Sequence, residues 1–287
     1  MKFGSAAVLA AMTCLPARAG LTAAEKAKYA DICREHIERD YRLMLRKAEG
    51  CLKLPFIVPS SKSYGHDLWD WDSWLTGLAI GHLLKSKGDQ AALDEARPHF
   101  EGSVLNFLDY GGDSGLVPIV ITSTKKGGRA GENTNIHKPC LAQFAEYICG
   151  LYGDVEWLRG RFPALKAFLK RYRNHQYHAA TGLYYWIDDF AIGVDNDPST
   201  FYRPFNSSGS IYLNCLMVRE LDAMAKLCCR LGDSDADRYA RESEALKSAV
   251  REHCWDPRDG FYYSVDLNLR AKEPLHTWVH KGEMRTY

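Results

Sequence analysis

The sequence lacks the motifs that mark several common classes of protein. Lys and Arg total 37 against 36 for Asp and Glu in 287 residues, and no basic run stands out, so a nucleic-acid partner is not expected. No Gly-rich phosphate loop, H-E-x-x-H or G-x-S-x-G occurs, which argues against nucleotide-binding proteins, zinc proteases and α/β-hydrolases. No repeat of fixed period is present, which disfavours a solenoid.

The cysteines are irregularly spaced and form no recognisable ligand motif. The chain has nine cysteines, but no C-x-x-C and no Cys/His spacing suited to zinc, so no metal site is expected. Several cysteines occupy apolar positions of predicted helices, where a thiol behaves as a small hydrophobic group. We therefore expect mostly buried thiols and allow for one disulfide, which export would permit.

The first residues have the order of a secretory signal peptide. A lysine is followed by an apolar run and by a small-x-small triplet that ends at Ala19, and the run is too short to span a bilayer. A frayed N-terminal helix is the alternative interpretation. The pattern predicts that residues 1–19 are cleaved and that residues 20–287 form one periplasmic or secreted domain with no membrane partner.

Apolar residues recur at helical spacing through most of the remaining chain. Trp71, Leu75 and Leu78, for example, lie on one face of a helix that ends at Gly88. The predicted helices cover residues 22–48, 71–88, 90–109, 139–151, 154–175, 208–231 and 234–254. The strand-like runs are short and cover residues 116–121, 183–187 and 261–265. The pattern predicts an all-α fold with short β hairpins in its loops, arranged as a bundle or a toroid.

One segment alternates tryptophan and aspartate at the start of a predicted helix. It reads H-D-L-W-D-W-D-S-W and covers residues 66–74. Aspartates are typical of helix N-termini and tryptophans of a core, so helix initiation alone explains much of it. Capping does not require the alternation, whereas a sugar ring stacks on an indole face and donates hydroxyl hydrogen bonds to a carboxylate. The candidate sugar-binding residues of this segment are Trp69, Asp70, Trp71 and Asp72.

The acid loop, residues 188–199, reads D-D-F-A-I-G-V-D-N-D-P-S and contains four carboxylates. Turn formation accounts for Asn196 and Asp197, and a calcium site is disfavoured because the D-x-D-x-D-G pattern and its closing Glu are absent. Aromatic residues that include Trp186 precede the loop. Burial beside them would raise the pKa of a carboxyl group, which a general acid requires. Such a group could protonate a glycosidic oxygen.

Four motifs in order resemble those of the six-hairpin (α/α)6 toroid glycosidases. They are L-W-D-W-D-S-W-L-T-G-L-A-I-G-H, G-V-D-N-D-P-S, S-G-S-I-Y-L-N-C-L-M-V-R-E-L-D-A-M-A-K-L and W-D-P-R-D-G-F-Y-Y-S-V-D-L, and they span roughly residues 60–270. The chain most resembles family-63 glycoside hydrolases and their mannosylglycerate-hydrolase-like relatives, with trehalases more distant. The resemblance implies an (α/α)6 toroid that hydrolyses a terminal α-glucoside or α-mannoside with inversion and needs no cofactor.

The resemblance also assigns roles to residues. By position, the general acid is Asp195 and the W-D-x-D segment, residues 69–72, holds the terminal sugar of a carbohydrate substrate. The further candidates for substrate contacts are His137, Lys138, Trp186, Tyr202, Asn206 and Asn214. Lys138 stands where the family has a Gln. Because a lysine cannot accept a hydroxyl hydrogen bond, either that contact is lost or the substrate carries an anionic group.

The family's general base is a Glu beyond the last residue of this sequence. Glu283 is late in the chain but does not lie in the base motif, so the role is not transferred to it. Residues 20–287 are therefore expected to be the N-terminal part of one catalytic domain that lacks its base segment. Two alternatives stay open, a non-catalytic sugar-binding toroid and a toroid polysaccharide lyase, for which His66 and His137 would be the candidate catalytic residues.

Overall fold

The computed structural model describes residues 20–59, 62, 64–123, 134–190, 192–201, 203–270, 279–280 and 283–285. The predicted signal peptide and Tyr202 lie outside these residues, and both stay predictions. No described helix is long and apolar enough to cross a membrane.

Eight α-helices account for most of the described residues. They are α1 (Ala23–Met44), α2 (Asp70–Lys87), α3 (Gln90–Gly111), α4 (Leu141–Tyr152), α5 (Glu156–Arg159), α6 (Phe162–His175), α7 (Ile211–Leu231) and α8 (Ala236–His253). The all-α prediction is confirmed. The helix predicted over 154–175 is divided into α5 and α6, and Pro163 lies in the first turn of α6, where a missing N–H leaves no helical hydrogen bond unmade.

The strands are short and lie in the connections between helices. They are β1 (Leu45–Arg46), β2 (Phe56–Ile57), β3 (Asp67–Trp69), β4 (Val120–Thr122), β5 (Tyr177–His178), β6 (Leu183–Tyr184), β7 (Ser208–Gly209), β8 (Trp255–Asp256), β9 (Phe261–Tyr262), β10 (Val265–Arg270), β11 (Val279–His280) and β12 (Glu283–Arg285). Antiparallel pairing joins β1 to β2, β3 to β4, β5 to β6 and β8 to β9, and a four-stranded sheet has the order β11-β12-β10-β7. The predicted β hairpins in loops are confirmed.

The chain separates into two compact units, residues 1–40 and 41–287. The described part of the first unit is almost entirely helical and begins with a capping box. The Thr22 N–H donates to Glu25 Oε2 at 2.8 Å, and the Glu25 N–H donates to Thr22 Oγ1 at 3.2 Å. Both donors would otherwise lack a partner at the start of the helix.

In the second unit, α2, α4 and α7 form a row in which each helix packs on the next. α3 packs on α2, α4 and α6, and α8 packs on α7. Buried aromatic side chains such as Phe100, Phe107 and Phe168 fill the space between helices, and each fully buried ring of this kind stabilises the fold by about 1.5–3 kcal/mol.

Two glycines bring α2 close to α4. A Cβ at Gly77 would lie 2.3 Å from Cζ of Phe144, and one at Gly81 would lie 2.4 Å from the hydroxyl oxygen of Tyr147. Both distances are shorter than real contacts, so a side chain at either position would force the Phe144 or Tyr147 ring to move, and glycine allows α2 and α4 to pack closely with these rings in place. The segments that lead into the two helices are thereby brought together at one end.

The cysteines agree with only part of the sequence prediction. Cys140, Cys149, Cys228 and Cys254 are buried, whereas the other described cysteines are exposed. No disulfide joins cysteines of the described part of the chain. The buried thiols pack as small apolar groups, and the bridge that the sequence allowed is not observed among them.

Candidate active site

The tryptophan-aspartate segment lies where β3 passes into α2. β3 pairs with β4 in antiparallel register, with Trp69 opposite Val120, and the Asp70 N–H donates to the Ile119 carbonyl at 3.0 Å. Trp69 is the residue before the helix and has an extended backbone, with φ −98° and ψ 148°. Asp70 and Asp72 lie in the first helical turn, where the helix dipole favours negative charge.

A cavity of about 270 Å³ opens beside this helix start. Its lining residues are Pro59, Tyr64, Trp69, Asp70, Trp71, Asp72, Ile119, Lys138, Gly193 and Asp195. The cavity therefore brings the tryptophan-aspartate segment, the Lys138 segment and the acid loop to one place, although they are far apart in sequence. We call residues 69–72 together with Lys138 the wall of the cavity.

The wall contains a buried ion pair between Asp70 and Lys138. The Lys138 Nζ lies 3.0 Å from Asp70 Oδ2 and 3.2 Å from Oδ1, and the Lys138 backbone N–H donates to Oδ2 at 3.0 Å. Asp70 is 1% and Lys138 2% exposed. Charges this deeply buried require a partner, and the partner of Lys138 is Asp70. Lys138 is therefore not a free cation that could bind an anionic group of the substrate.

Asp72 is the second carboxylate of the wall, and its surroundings differ. It is partly buried and lines the cavity, and it forms no ion pair with any described residue. Burial raises the pKa of Asp72, and the negative charge of Asp70 raises it further. The Asp72 carboxylate thus lies at the edge of the cavity. Among the described residues, no cationic side chain forms an ion pair with it, so its oxygen atoms can accept hydrogen bonds from a ligand.

The tryptophans form the apolar part of the wall. The Trp69 ring lies edge-on to Tyr64 with centroids 5.6 Å apart, and the Trp71 ring lies edge-on to Tyr212 at 6.1 Å. The Lys138 ammonium group lies 5.1 Å from the Trp71 ring centroid, close enough for a cation–π interaction. Flat aromatic faces beside a carboxylate are the surfaces on which a sugar ring binds.

The acid loop reaches the cavity through Gly193. This residue has a φ of +84°, and a Cβ there would lie 2.7 Å from Cζ2 of Trp71 and 3.0 Å from Cε of Lys138. Both the left-handed backbone and the close approach require glycine. The loop is thereby held against the wall two residues before Asp195, which lines the cavity and is exposed.

The rest of the acid loop is held by turns and by one buried amide. The Ser199 N–H donates to Asp197 Oδ1 at 2.8 Å, and Asn196 has a φ of +60°, so the predicted turn residues do form turns. At the start of the loop, Asn135 Nδ2 donates to Asp188 Oδ1 at 2.8 Å and to the Phe190 carbonyl at 2.8 Å. This asparagine is 2% exposed and anchors the loop to the fold.

Helix α4 begins just after Lys138 and is capped by a residue of another helix. Its own N-cap, Cys140, makes no side-chain capping bond. Instead, Glu220 of α7 accepts the Ala142 N–H at 2.7 Å and the Gln143 N–H at 3.1 Å. Glu220 is fully buried, and burial raises its pKa from 4.5 to about 7 although these hydrogen bonds favour the charged form. Glu220 therefore fixes the start of the helix that follows the wall.

Several predicted contacts do not line the cavity. His137 is 1% exposed and lies edge-on to Phe107 and Phe168, with centroids 4.5 and 5.8 Å away. Burial lowers the pKa of His137 to about 4. His66 is exposed and hydrogen-bonds Glu49 at 3.1 Å. No histidine lines the cavity in the part of the chain that the structure describes, so the histidines proposed for a lyase do not form a site there.

Three other predicted contact residues, Asn214, Trp186 and Asn206, do not line the cavity. Asn214 is 0% exposed, and its side chain bonds the Tyr184 N–H and carbonyl, each at 2.8 Å, so it ties β6 to α7. Trp186 is 1% exposed and packs under Tyr212, which leaves it no face for a ligand. Asn206 is exposed with a φ of +62° and does not line the cavity. Asp195 itself is exposed, whereas burial raises the pKa of Asp188, another carboxyl group of the acid loop.

The sequence interpretation missed four lining residues, Pro59, Tyr64, Ile119 and Gly193, and two residues that support the site, Tyr212 and Asn135. Gly193 belongs to the G-V-D-N-D-P-S motif, and its position two residues before Asp195 was the available signal. Tyr212 belongs to S-I-Y-L-N, and its ring contacts both Trp71 and Trp186. Asn135 had no local signal, because its role depends on a loop more than fifty residues away.

Two larger grooves lie elsewhere, beside α6 and α8. They measure about 620 and 710 Å³, and no tryptophan is among the described residues that line them. Lys166 and Arg238 there are already paired with Asp235, at 2.6 and 2.9 Å. The grooves contain ion pairs together with Phe and Tyr rings, and their described lining residues lack the pair of tryptophans that lines the smaller cavity. No cluster of three metal-ligating side chains occurs among the described residues.

The sequence and the fold are similar to those of known glycoside hydrolases. Residues 64–280 match the mannosylglycerate hydrolase MGH1-like glycoside hydrolase domain. The fold is similar to that of GH63 mannosylglycerate hydrolase from Thermus thermophilus in complex with glucose, with a TM-score of 0.59 and 19% identity over 80% of this chain and 66% of that one. The complex of the same enzyme with Tris and D-glycerate gives a TM-score of 0.55 and 18% identity, over 82% and 68%.

A third similar structure is an uncharacterized conserved protein from Thermus thermophilus, with a TM-score of 0.55 and 19% identity over 80% of this chain and 67% of that one. The chain thus spans about two thirds of the length of these structures. No curated protein matched the sequence. At this level of identity the structures show a shared fold, the six-hairpin glycosidase fold that the sequence motifs predicted.

Proposed function

The chain belongs to the mannosylglycerate hydrolase MGH1-like glycoside hydrolase family, and from this membership we propose that it acts as an exported, inverting α-glycosidase. The substrate has a terminal α-glucoside or α-mannoside at its non-reducing end. Trp69, Trp71 and Asp72 bind this sugar, and Asp195 donates a proton to the leaving oxygen. The chemistry is hydrolysis by acid and base groups and requires no cofactor.

The observation that carries the proposal is the composition of the cavity. Indole rings, the Asp72 carboxylate and the predicted acid meet in one space of about 270 Å³. Pockets for drug-sized ligands are about 300–1,000 Å³, so this cavity suits a single sugar ring. Asp195 lies at its exposed side, where the glycosidic oxygen and the rest of the substrate would extend into solvent.

An inverting mechanism requires a second carboxyl group that acts as the general base. Asp195 protonates the glycosidic oxygen while the bond from that oxygen to the anomeric carbon breaks. A water molecule attacks the opposite face of the same carbon, and a carboxylate general base takes its proton. In inverting enzymes the two carboxyl groups are about 6.5–9.5 Å apart, which leaves room for the water.

The test is the hydrolysis of p-nitrophenyl α-glucoside and α-mannoside. It uses the 287-residue chain and, where the gene continues past Tyr287, its full-length product, called the complete reading frame below. We expect Asp195→Asn to abolish turnover and leave the melting temperature unchanged, because Asp195 is exposed and supports no core contact. Asp189→Asn is the matched control, since this exposed residue of the same loop does not line the cavity. A near-normal rate for Asp195→Asn would sink the assignment.

Two further measurements on the same preparation test the remaining parts of the proposal. The anomeric form of the first product, read by proton NMR, is β for inversion and α for retention. The N-terminal residue of exported protein is Gly20 if the predicted cleavage occurs. Sugar binding without turnover in the complete reading frame would instead indicate the non-catalytic sugar-binding alternative.

A further inference from the structure

The two aspartates of the wall face different surroundings. Asp70 and Asp72 both line the cavity, but residues two positions apart on a helix point about 200° apart around its axis. Asp70 turns to Lys138 and is 1% exposed. Asp72 turns to the edge of the cavity and is only partly buried.

Lys138 occupies both oxygen atoms of Asp70. Its ammonium group contacts Oδ1 and Oδ2, and its backbone N–H adds a bond to Oδ2 at 3.0 Å. Asp70 lines the cavity, but a carboxylate so engaged and so deeply buried has little surface left for a ligand. The acceptor capacity left in the wall is therefore that of Asp72.

Lys138 also contacts the two neighbours that shape the cavity. Its ammonium group lies 5.1 Å from the Trp71 ring centroid, and its Cε would meet a Cβ at Gly193 at 3.0 Å. The Lys138 side chain thus contacts the Trp71 ring, the acid loop at Gly193, and Asp70. It is therefore placed to hold these three groups in position relative to one another.

We propose that Lys138 is a positioning residue that makes Asp70 a structural counter-ion, so that Asp72 alone accepts sugar hydroxyls and the cavity takes an uncharged sugar ring. The proposal rests on the proposed function only in that the cavity is taken to be a sugar site. With Lys138 paired to Asp70, the other acidic or basic side chains among the described residues that line the cavity are Asp72 and Asp195. These repel a carboxylate-bearing ring and accept hydrogen bonds from a neutral one.

The experiment is calorimetric binding to the 287-residue chain, with D-glucose, D-mannose and D-glucuronate as probes. We expect the wild type to bind at least one neutral sugar and to bind glucuronate more weakly. Asp72→Asn should lower neutral-sugar affinity about tenfold or more, because it removes a charged acceptor. Asp67→Asn is the matched control, since Asp67 precedes the same helix and does not line the cavity.

A double variant separates Asp70 from Asp72. Asp70→Asn combined with Lys138→Gln replaces the ion pair with a neutral pair that can still hydrogen-bond. Because Asp72 is intact, the double variant should lose clearly less neutral-sugar affinity than Asp72→Asn does. Asp70→Asn alone leaves the Lys138 charge unpaired beside the cavity, so the ratio of glucuronate to glucose affinity should rise about tenfold. A merely structural role of Lys138 would not move this ratio.

Melting temperatures are measured for every variant, and if Asp70→Asn does not fold, the double variant decides. The proposal is overturned if the double variant loses as much affinity as Asp72→Asn. It is also overturned if a folded Asp70→Asn variant keeps the wild-type ratio, or if the wild type binds no neutral sugar or binds glucuronate as tightly. Hydrolysis is a separate readout: binding as expected without turnover would contradict the proposed glycosidase activity and leave the role of Lys138 intact.

Discussion

The wall and the acid loop form two sides of one cavity, but they are held in different ways. The wall is fixed from within, by the buried Asp70–Lys138 pair and by the capped helix that follows it. The acid loop is exposed around Asp195 and is fixed at its start by Asn135 and at its middle by the contact of Gly193 with Trp71. The wall is thus anchored in the buried core, whereas the proposed acid is held by local contacts that leave it exposed to solvent.

The largest expected effect concerns the wall, through the pH dependence of Glu220. Its folded pKa of about 7 lies above the ordinary glutamate value of 4.5, so the folded state binds more protons between these values. The contribution of Glu220 to the free energy of unfolding is full below pH 4.5 and is lost as pH rises through 7. The loss is about 3 kcal/mol, since one pKa unit corresponds to about 1.4 kcal/mol.

Urea unfolding of wild type and Glu220→Gln between pH 4.5 and 8 measures this effect. The variant cannot ionise, so its unfolding free energy should fall less with rising pH than that of wild type. Glu244→Gln is the control, because Glu244 is exposed. Parallel pH profiles for wild type and Glu220→Gln would show that this buried carboxyl does not govern the stability of the wall.

A smaller effect is expected where the loop meets the wall. Gly193→Ala places a Cβ against Trp71 and Lys138 at a left-handed backbone position, which should lower the free energy of unfolding by about 2 kcal/mol. In the complete reading frame, kcat should fall about 100-fold because displacement of Asp195 misaligns the acid. Gly88→Ala is the matched control, since Gly88 is also left-handed but has open space around it. A Gly193→Ala variant with wild-type kcat would mean that the loop does not depend on this contact.

The smallest effect is expected inside the acid loop. Asp197→Ala removes the side-chain acceptor for the Ser199 N–H, which should destabilise the turn by about 1 kcal/mol. Because the wall does not depend on this turn, affinity for a neutral sugar should be unchanged while kcat falls. Titration calorimetry and initial rates separate these quantities. A loss of sugar affinity in Asp197→Ala would show that the loop and the wall are coupled more tightly than their contacts indicate.

Sequence patterns predicted the features that depend on neighbouring residues. Apolar spacing located the helices, and alternating Trp and Asp located a helix start that does line a cavity. The patterns did not predict which side chains would be buried, because burial depends on packing between distant segments. Asn214 and Trp186 have the residue types of a binding site, yet contacts across α7 enclose them. The partner of Lys138 likewise could not be read locally, since Asp70 lies 68 positions away.

The close approach of α2 and α4 has a consequence for how the cavity tolerates change. Gly77 and Gly81 of α2 pack against the Phe144 and Tyr147 rings of α4. Asp70 at the start of α2 contacts Lys138, which lies just before α4. We therefore expect a larger residue at Gly77 or Gly81 to displace a ring of α4 and, through that helix, to disturb a cavity that neither glycine lines.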